Sequence, residues 1–185
     1  MLKFPWKEET HFIEKLWAMY NNNKSDADIY LGAYRIFAPV GLNKLLPTKH
    51  QLTSITPKLH TIRNKSDRYK EDQYIQPFIW TYKPYKKNPN ALIPAQFDFM
   101  PELKIVSKQS FEITYVRNNK YPELNAFLPI VVIDGGHFYN PLLNIDKGMK
   151  SLAVNDGFKD AEHFFKYFDK PVKDMEIRHF TNLKY

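Results

Sequence analysis

The chain has 185 residues, 43% of them hydrophobic and 16% aromatic, which suffices for a packed core and excludes an intrinsically disordered polypeptide. It contains no cysteine, so disulfides, thiolate metal sites and cysteine nucleophiles are excluded, and the reading agrees with a reducing cytoplasmic setting. The formal charge is +7; the interval 44–90 holds ten Lys/Arg against three Asp/Glu and so accounts for the whole excess, as expected of a basic face that meets phosphate.

The opening "MLKFPWKEETHF" lacks the uninterrupted apolar core of a signal peptide, and no run is long enough to span a bilayer. Residues 8–20, "EETHFIEKLWAMY", set Phe12, Ile13, Leu16, Trp17 and Tyr20 at helical spacing with acids in the first turn, which predicts an amphipathic helix. "NNNKSDAD" breaks it, and 29–57 reads as short elements and loop around Gly32, Pro39, Gly41 and Pro47. From Tyr74 the pattern is that of strands. "YIQPFIWTY" carries Pro77, which cannot donate to a sheet ladder and so marks an edge or bulged strand. After the proline-punctuated loop "KPYKKNPNALIPAQ", the segment "LKIVSKQSFEITYV" alternates Phe111, Ile113 and Tyr115 with Glu112 and Thr114, a half-buried strand.

"LPIVVIDGGHFY" predicts a buried strand entering a Gly-Gly turn, with Asp134 and His137 serving the turn rather than a site. Residues 158–168 place Ala161, Phe164, Phe165 and Phe168 on one helical face, an aromatic stripe expected in the core. A final strand follows, with Met175, Ile177 and His179 on one face and His179 expected to pack internally. The order predicts an α+β domain round a small sheet or barrel.

Three of these stretches, "KLHTIRNKSDRYKEDQYI", "LAVNDGFKDAEHFFKYF" and "EIRHFTNLKY", resemble in order the Lys-x-x-Thr-x-Arg loop and strand, the acid-Gly-Phe turn with its Phe-rich helix, and the closing strand of ASCH domains, members of the PUA-like β-barrel superfamily. The relatives that this last stretch resembles occur in Bacteroidetes-type bacteria and their phages, often with "HWTD" where this chain has "HFTN". The resemblance implies one ASCH/PUA-like domain over 1–185, a small β-barrel with flanking helices and insertions at about 21–57 and 83–102. It also implies a cleft for RNA or a modified nucleotide. Some small ASCH proteins are amidohydrolases that deacetylate acetylcytidine, and their catalytic set falls by motif on Lys58, Thr61 and Asp156, the last an Asp where those enzymes carry Glu.

Read for chemistry alone, a threonine needs an adjacent base, and a lysine acts as one only when burial or neighbouring cations pull its pKa down. His60, Arg63 and Lys65 push Lys58 in that direction, whereas a nearby Asp156 holds it charged. The bland reading leaves Lys58 solvated and Thr61 an ordinary strand or turn residue. Arg63, Arg68 and Lys70 suit phosphate, Tyr69 and Trp80 suit base stacking, and His60 suits a phosphate or base edge. The competing reading of Arg68 is a local pair with Asp67 or Asp72. No zinc spacing joins His11, His50, His137 or His163, and no cofactor is implied. A further possibility is a phage-encoded factor whose insertions meet a partner protein.

Overall fold

The aromatic and β-branched runs of the C-terminal half, joined by residues 60–64, form a six-stranded antiparallel sheet. In this computed structural model the described residues are 9–23, 31, 32, 34, 46–80, 96–118 and 127–185. The strands are β1 (His60–Asn64), β2 (Tyr74–Ile75), β3 (Phe78–Trp80), β4 (Gln96–Asp98), β5 (Leu103–Lys104), β6 (Ser107–Arg117), β7 (Phe127–Ile133), β8 (Gly136–Asn140), β9 (Ile145–Asp146) and β10 (Val172–His179). The large sheet has the order β1-β10-β6-β7-β8-β9, and two-stranded ribbons pair β2 with β5 and β3 with β4. The helices are α1 (Phe12–Asn23), α2 (Lys49–Ser54), α3 (Met149–Asn155) and α4 (Ala161–Tyr167).

The α+β class agrees with the sequence reading, but the barrel does not. Among the described residues the sheet is open, with edges at β1 and β9. The reason is local. β9 is two residues long, and Gly148, at φ 113, turns the chain directly into α3 before the sheet can curl towards β1. Among the described residues no strand bridges β9 to β1, as closure into a barrel requires.

Alternation divides the sheet into two unlike faces. On one face Ile62, Ile177, Phe111, Ile113, Val131 and Ile133 pack under Met149 and Leu152 of α3 and under Phe158, Phe164 and Phe168, the predicted Phe stripe of α4. On the other face the register sets Thr61 beside Arg178 and Lys108, and Arg63 beside Glu176 and Ser110. A second core gathers around α1, where Trp17 is fully buried and its indole donates to the Phe99 carbonyl at 3.0 Å. This core takes in Leu31, Leu46, Leu52, Phe97, Phe99 and Met100. The described ends of the expected insertions at 21–57 and 83–102 therefore supply buried side chains; residues 24–30, 33, 35–45 and 81–95 lie outside the described part.

Pro77 splits the predicted 74–82 strand into β2 and β3, the consequence of its missing donor. Asp134 (φ 49) and Gly135 (φ 76) form the β7–β8 turn, both left-handed as tight hairpins require, and the Asp134 carboxylate accepts from Ser110 N at 2.8 Å and Gln109 Nε2 at 2.9 Å. No described helix is long and apolar enough to cross a membrane.

Candidate ligand cavity

The cavity depends on how α3 ends. The Phe158 N–H bonds the Ala153 carbonyl and the Gly157 N–H bonds the Val154 carbonyl, both at 2.9 Å, with Gly157 at φ 96. This is the Schellman arrangement, and its left-handed position calls for glycine. It leaves the carbonyls of Asp156 and Gly157 free, and two lysines take them: Lys58 Nζ donates to the Asp156 carbonyl, and Lys15 Nζ, from α1, to the Gly157 carbonyl at 2.5 Å. Ammonium groups at a helix C-terminus also meet the negative end of its dipole.

Lys58 Nζ also pairs with Asp156 Oδ1, both side chains buried. The same carboxylate oxygen accepts the Ile62 N–H at 3.3 Å, a main-chain donor of edge strand β1, while the Leu59 N–H bonds the Asn155 carbonyl at 2.9 Å. Asp156 thus caps the sheet edge and neutralises the lysine at once. Burial pulls Lys58 below its ordinary value, with Arg63 and Lys15 adding to the effect and Asp156 opposing it. Burial likewise raises Asp156, with Lys58 and Arg63 opposing.

Beside this pair a cavity of about 260 Å³ opens between the α1 core and the polar face of the sheet. Phe12, Leu16, Ile75, Pro77, Phe78, Leu103 and Phe180 form its apolar walls; Lys58, Thr61, Arg63, Tyr69, Gln76 and Arg178 form the polar ones. The structure thus brings Lys58, Thr61, Arg63 and Tyr69 to one concavity and Asp156 against its lysine. Arg63 is exposed and makes no ion pair among the described residues.

The remaining sequence candidates fall elsewhere. Arg68 and Lys70 are exposed and do not line the cavity; the Arg68 guanidinium lies 5.7 Å from the Tyr69 ring centre, and the Lys70 main-chain N–H donates to Gln73 Oε1 at 2.8 Å. Asp72 pairs with Lys104 at 2.7 Å rather than with Arg68. The Trp80 side chain lies outside the described part. His60 is fully buried and points to the opposite face from Thr61, against His179 and Tyr185 at 5.4 and 5.3 Å between ring centres.

Arg178, Glu176 and Lys108 escaped the sequence reading, as did Gln76 on the cavity wall. Arg178 lines the cavity with its guanidinium 4.3 Å from the Tyr69 ring centre, and its Nε donates to Glu176 Oε1 at 2.7 Å. Glu176 is buried, and Lys108 pairs with it at 2.5 Å while also donating to the Tyr69 carbonyl at 2.6 Å. The signal was present in "EIRHF": placing Ile177 and His179 on the core face puts Glu176 and Arg178 on the other. Which strand they would meet is a matter of register, which one sequence does not state.

Comparison with family models, with curated proteins and with solved structures finds no match to this chain in any of the three.

The buried imidazoles give a test at the sheet's other face. Asn155 Nδ2 donates to the Tyr185 hydroxyl at 2.9 Å, that hydroxyl shares a hydrogen bond with His60 Nδ1 at 3.3 Å, and His179 Nε2 bonds Gln109 Oε1 at 3.0 Å. Burial disfavours the protonated form of both rings. Burial, then the charge of Lys58, holds His60 well below the ordinary value; burial, then Lys184, draws His179 down to about 4. An unfolded histidine titrates near ~6.5, so between that value and about 4 the unfolded chain binds protons that the folded chain does not. Stability is expected to fall as pH drops through this window. Urea midpoints measured across it should decline, and the decline should be shallower in His179→Gln; identical slopes in the two proteins would contradict the assignment.

Proposed function

We propose that this chain is an ASCH-like, PUA-related domain that binds RNA or a modified nucleotide in the cavity beside Lys58. The observation that carries the reading is the cavity's two-sided chemistry: carbon walls on the α1 side, and on the sheet side a cation, Arg63, with no carboxylate paired to it among the described residues. A nucleotide has the matching halves, a flat base for the apolar side and a phosphate for a guanidinium. The motif resemblance around Lys58, Thr61 and Gly157 supports the same reading, since these segments meet at the cavity wall. The exposed Lys65, Arg68 and Lys70 extend positive charge beyond the cavity, as suits a strand of phosphates passing over it. Arg178 contributes less net charge because Glu176 neutralises it; its part is to brace Tyr69.

Titration with a single-stranded RNA at two salt concentrations tests this. Affinity should fall as salt rises, with a logarithmic slope of about −0.7 per phosphate contacted. Arg63→Gln should weaken binding and remove about one contact from the slope, while stability stays within about 0.5 kcal/mol because the side chain is exposed. Binding indifferent to salt, or none at micromolar protein, contradicts the proposal.

An amidohydrolase acting on acetylcytidine is the second reading, and one observation favours it: Thr61 and a buried Lys58 with a lowered pKa wall the same cavity. It is the weaker reading because the Lys58 amine is committed to two oxygens of Asp156. Acetate released from acetylcytidine by the parent and abolished in Thr61→Val would establish it; no release, or release that survives the substitution, removes Thr61 from any such chemistry.

A further inference from the structure

The amide of Gln76 is fixed before any ligand arrives. Its Nε2 lies 2.6 Å from the Met100 carbonyl and 3.3 Å from the Pro77 carbonyl. Two carbonyl oxygens around one terminal atom require that atom to be the nitrogen, since an oxygen there could accept from neither. Both carbonyls therefore draw on the N–H groups, and Oε1 is left as an acceptor with no donor among the described residues, on a side chain that lines the cavity. The neighbouring walls offer carbon from Ile75, Phe78 and Leu103, and the charged groups, Lys58, Arg63 and Arg178, donate only. A pinned acceptor costs little to organise on binding and selects for whatever donates to it.

We infer that Gln76 determines which base the cavity accepts: it favours one with an exocyclic amino group, cytosine over uracil, through Gln76 Oε1. This rests on the nucleotide-binding reading and goes beyond it. Cytosine presents an amino donor where uracil presents a carbonyl oxygen, and the rings are otherwise close in shape. Uracil would set its oxygen against Oε1 and leave both without a proton between them, a loss of the kind that follows when a desolvated polar group has no partner. Phe78, 41% exposed, lines the same cavity and adds apolar surface beside Gln76.

The test is titration with oligocytidine and oligouridine of equal length at one salt concentration. The parent protein should bind oligocytidine about tenfold more tightly. Gln76→Leu should abolish that preference. Because Gln76 also ties β2 and β3 to Met100, a purely structural role would weaken both ligands by one factor and preserve their ratio. Equal affinities in the parent with salt dependence intact, a preference for oligouridine, or a cytidine preference that survives Gln76→Leu each overturns the inference and leaves nucleotide binding standing. Failure of both oligonucleotides to bind overturns the two together.

Discussion

The buried pair between Lys58 and Asp156 joins segments 98 residues apart in sequence and fixes where the cavity wall stands. Two charges removed from water cost several kcal/mol each, and only close pairing with further hydrogen bonds offsets that cost. Here the further bonds are present: the carboxylate accepts the Ile62 N–H, and the ammonium meets the Asp156 carbonyl freed by the Schellman turn. One carboxylate therefore does two jobs. It closes the exposed donor of an edge strand, which otherwise invites pairing with another chain, and it seats the lysine at the cavity.

From that junction the polar face of the sheet is organised outward. Just after Lys58, Thr61 and Arg63 stand two apart on β1, and Arg178 and Glu176 stand opposite them on β10. Glu176, buried between Arg178 and Lys108, holds two cations in place, and Lys108 reaches on to the Tyr69 carbonyl. The Tyr69 loop is thereby tied to the sheet by main-chain as well as side-chain contacts, with Arg178 against its ring. Across the cavity α1 supplies Phe12 and Leu16, and Lys15 from the same helix reaches the α3 terminus. The N-terminal helix is part of the candidate site.

Elements with a strong period were legible in the sequence: α1, the Phe stripe of α4 and the alternation of β6 follow from spacing, while the turn expected at Gly135-Gly136 falls on Asp134 and Gly135, with Gly136 and His137 already in β8. The meeting of Lys58 with Asp156 was legible only through the motif resemblance, since nothing local in either segment names the other. What sequence could not supply was register and closure. His60 sits beside Thr61 and looked equally available, yet one step along a strand reverses the face, and it belongs to the core. Arg178 was passed over for the same reason. The barrel failed because a two-residue β9 ends the sheet, a length that the hydrophobic pattern around Ile145 does not announce. Segments 21–57 and 83–102 read as insertions because the resemblance offers them no counterpart; Leu31, Leu46, Leu52, Phe97, Phe99 and Met100 from them are buried together with Trp17 of α1.

The most direct test of the account is a double-mutant cycle on the junction, with Lys58→Met, Asp156→Leu and the double variant unfolded in urea. Each single change leaves one charge buried without its partner and should cost about 3 kcal/mol or more, while the double variant should cost well below the sum of the two, its remaining cost reflecting the Ile62 N–H and Asp156 carbonyl left without partners, and so give a large coupling energy. Single changes that each cost under about 1 kcal/mol and simply add would show that the two side chains do not hold the cavity wall together, and would contradict the account.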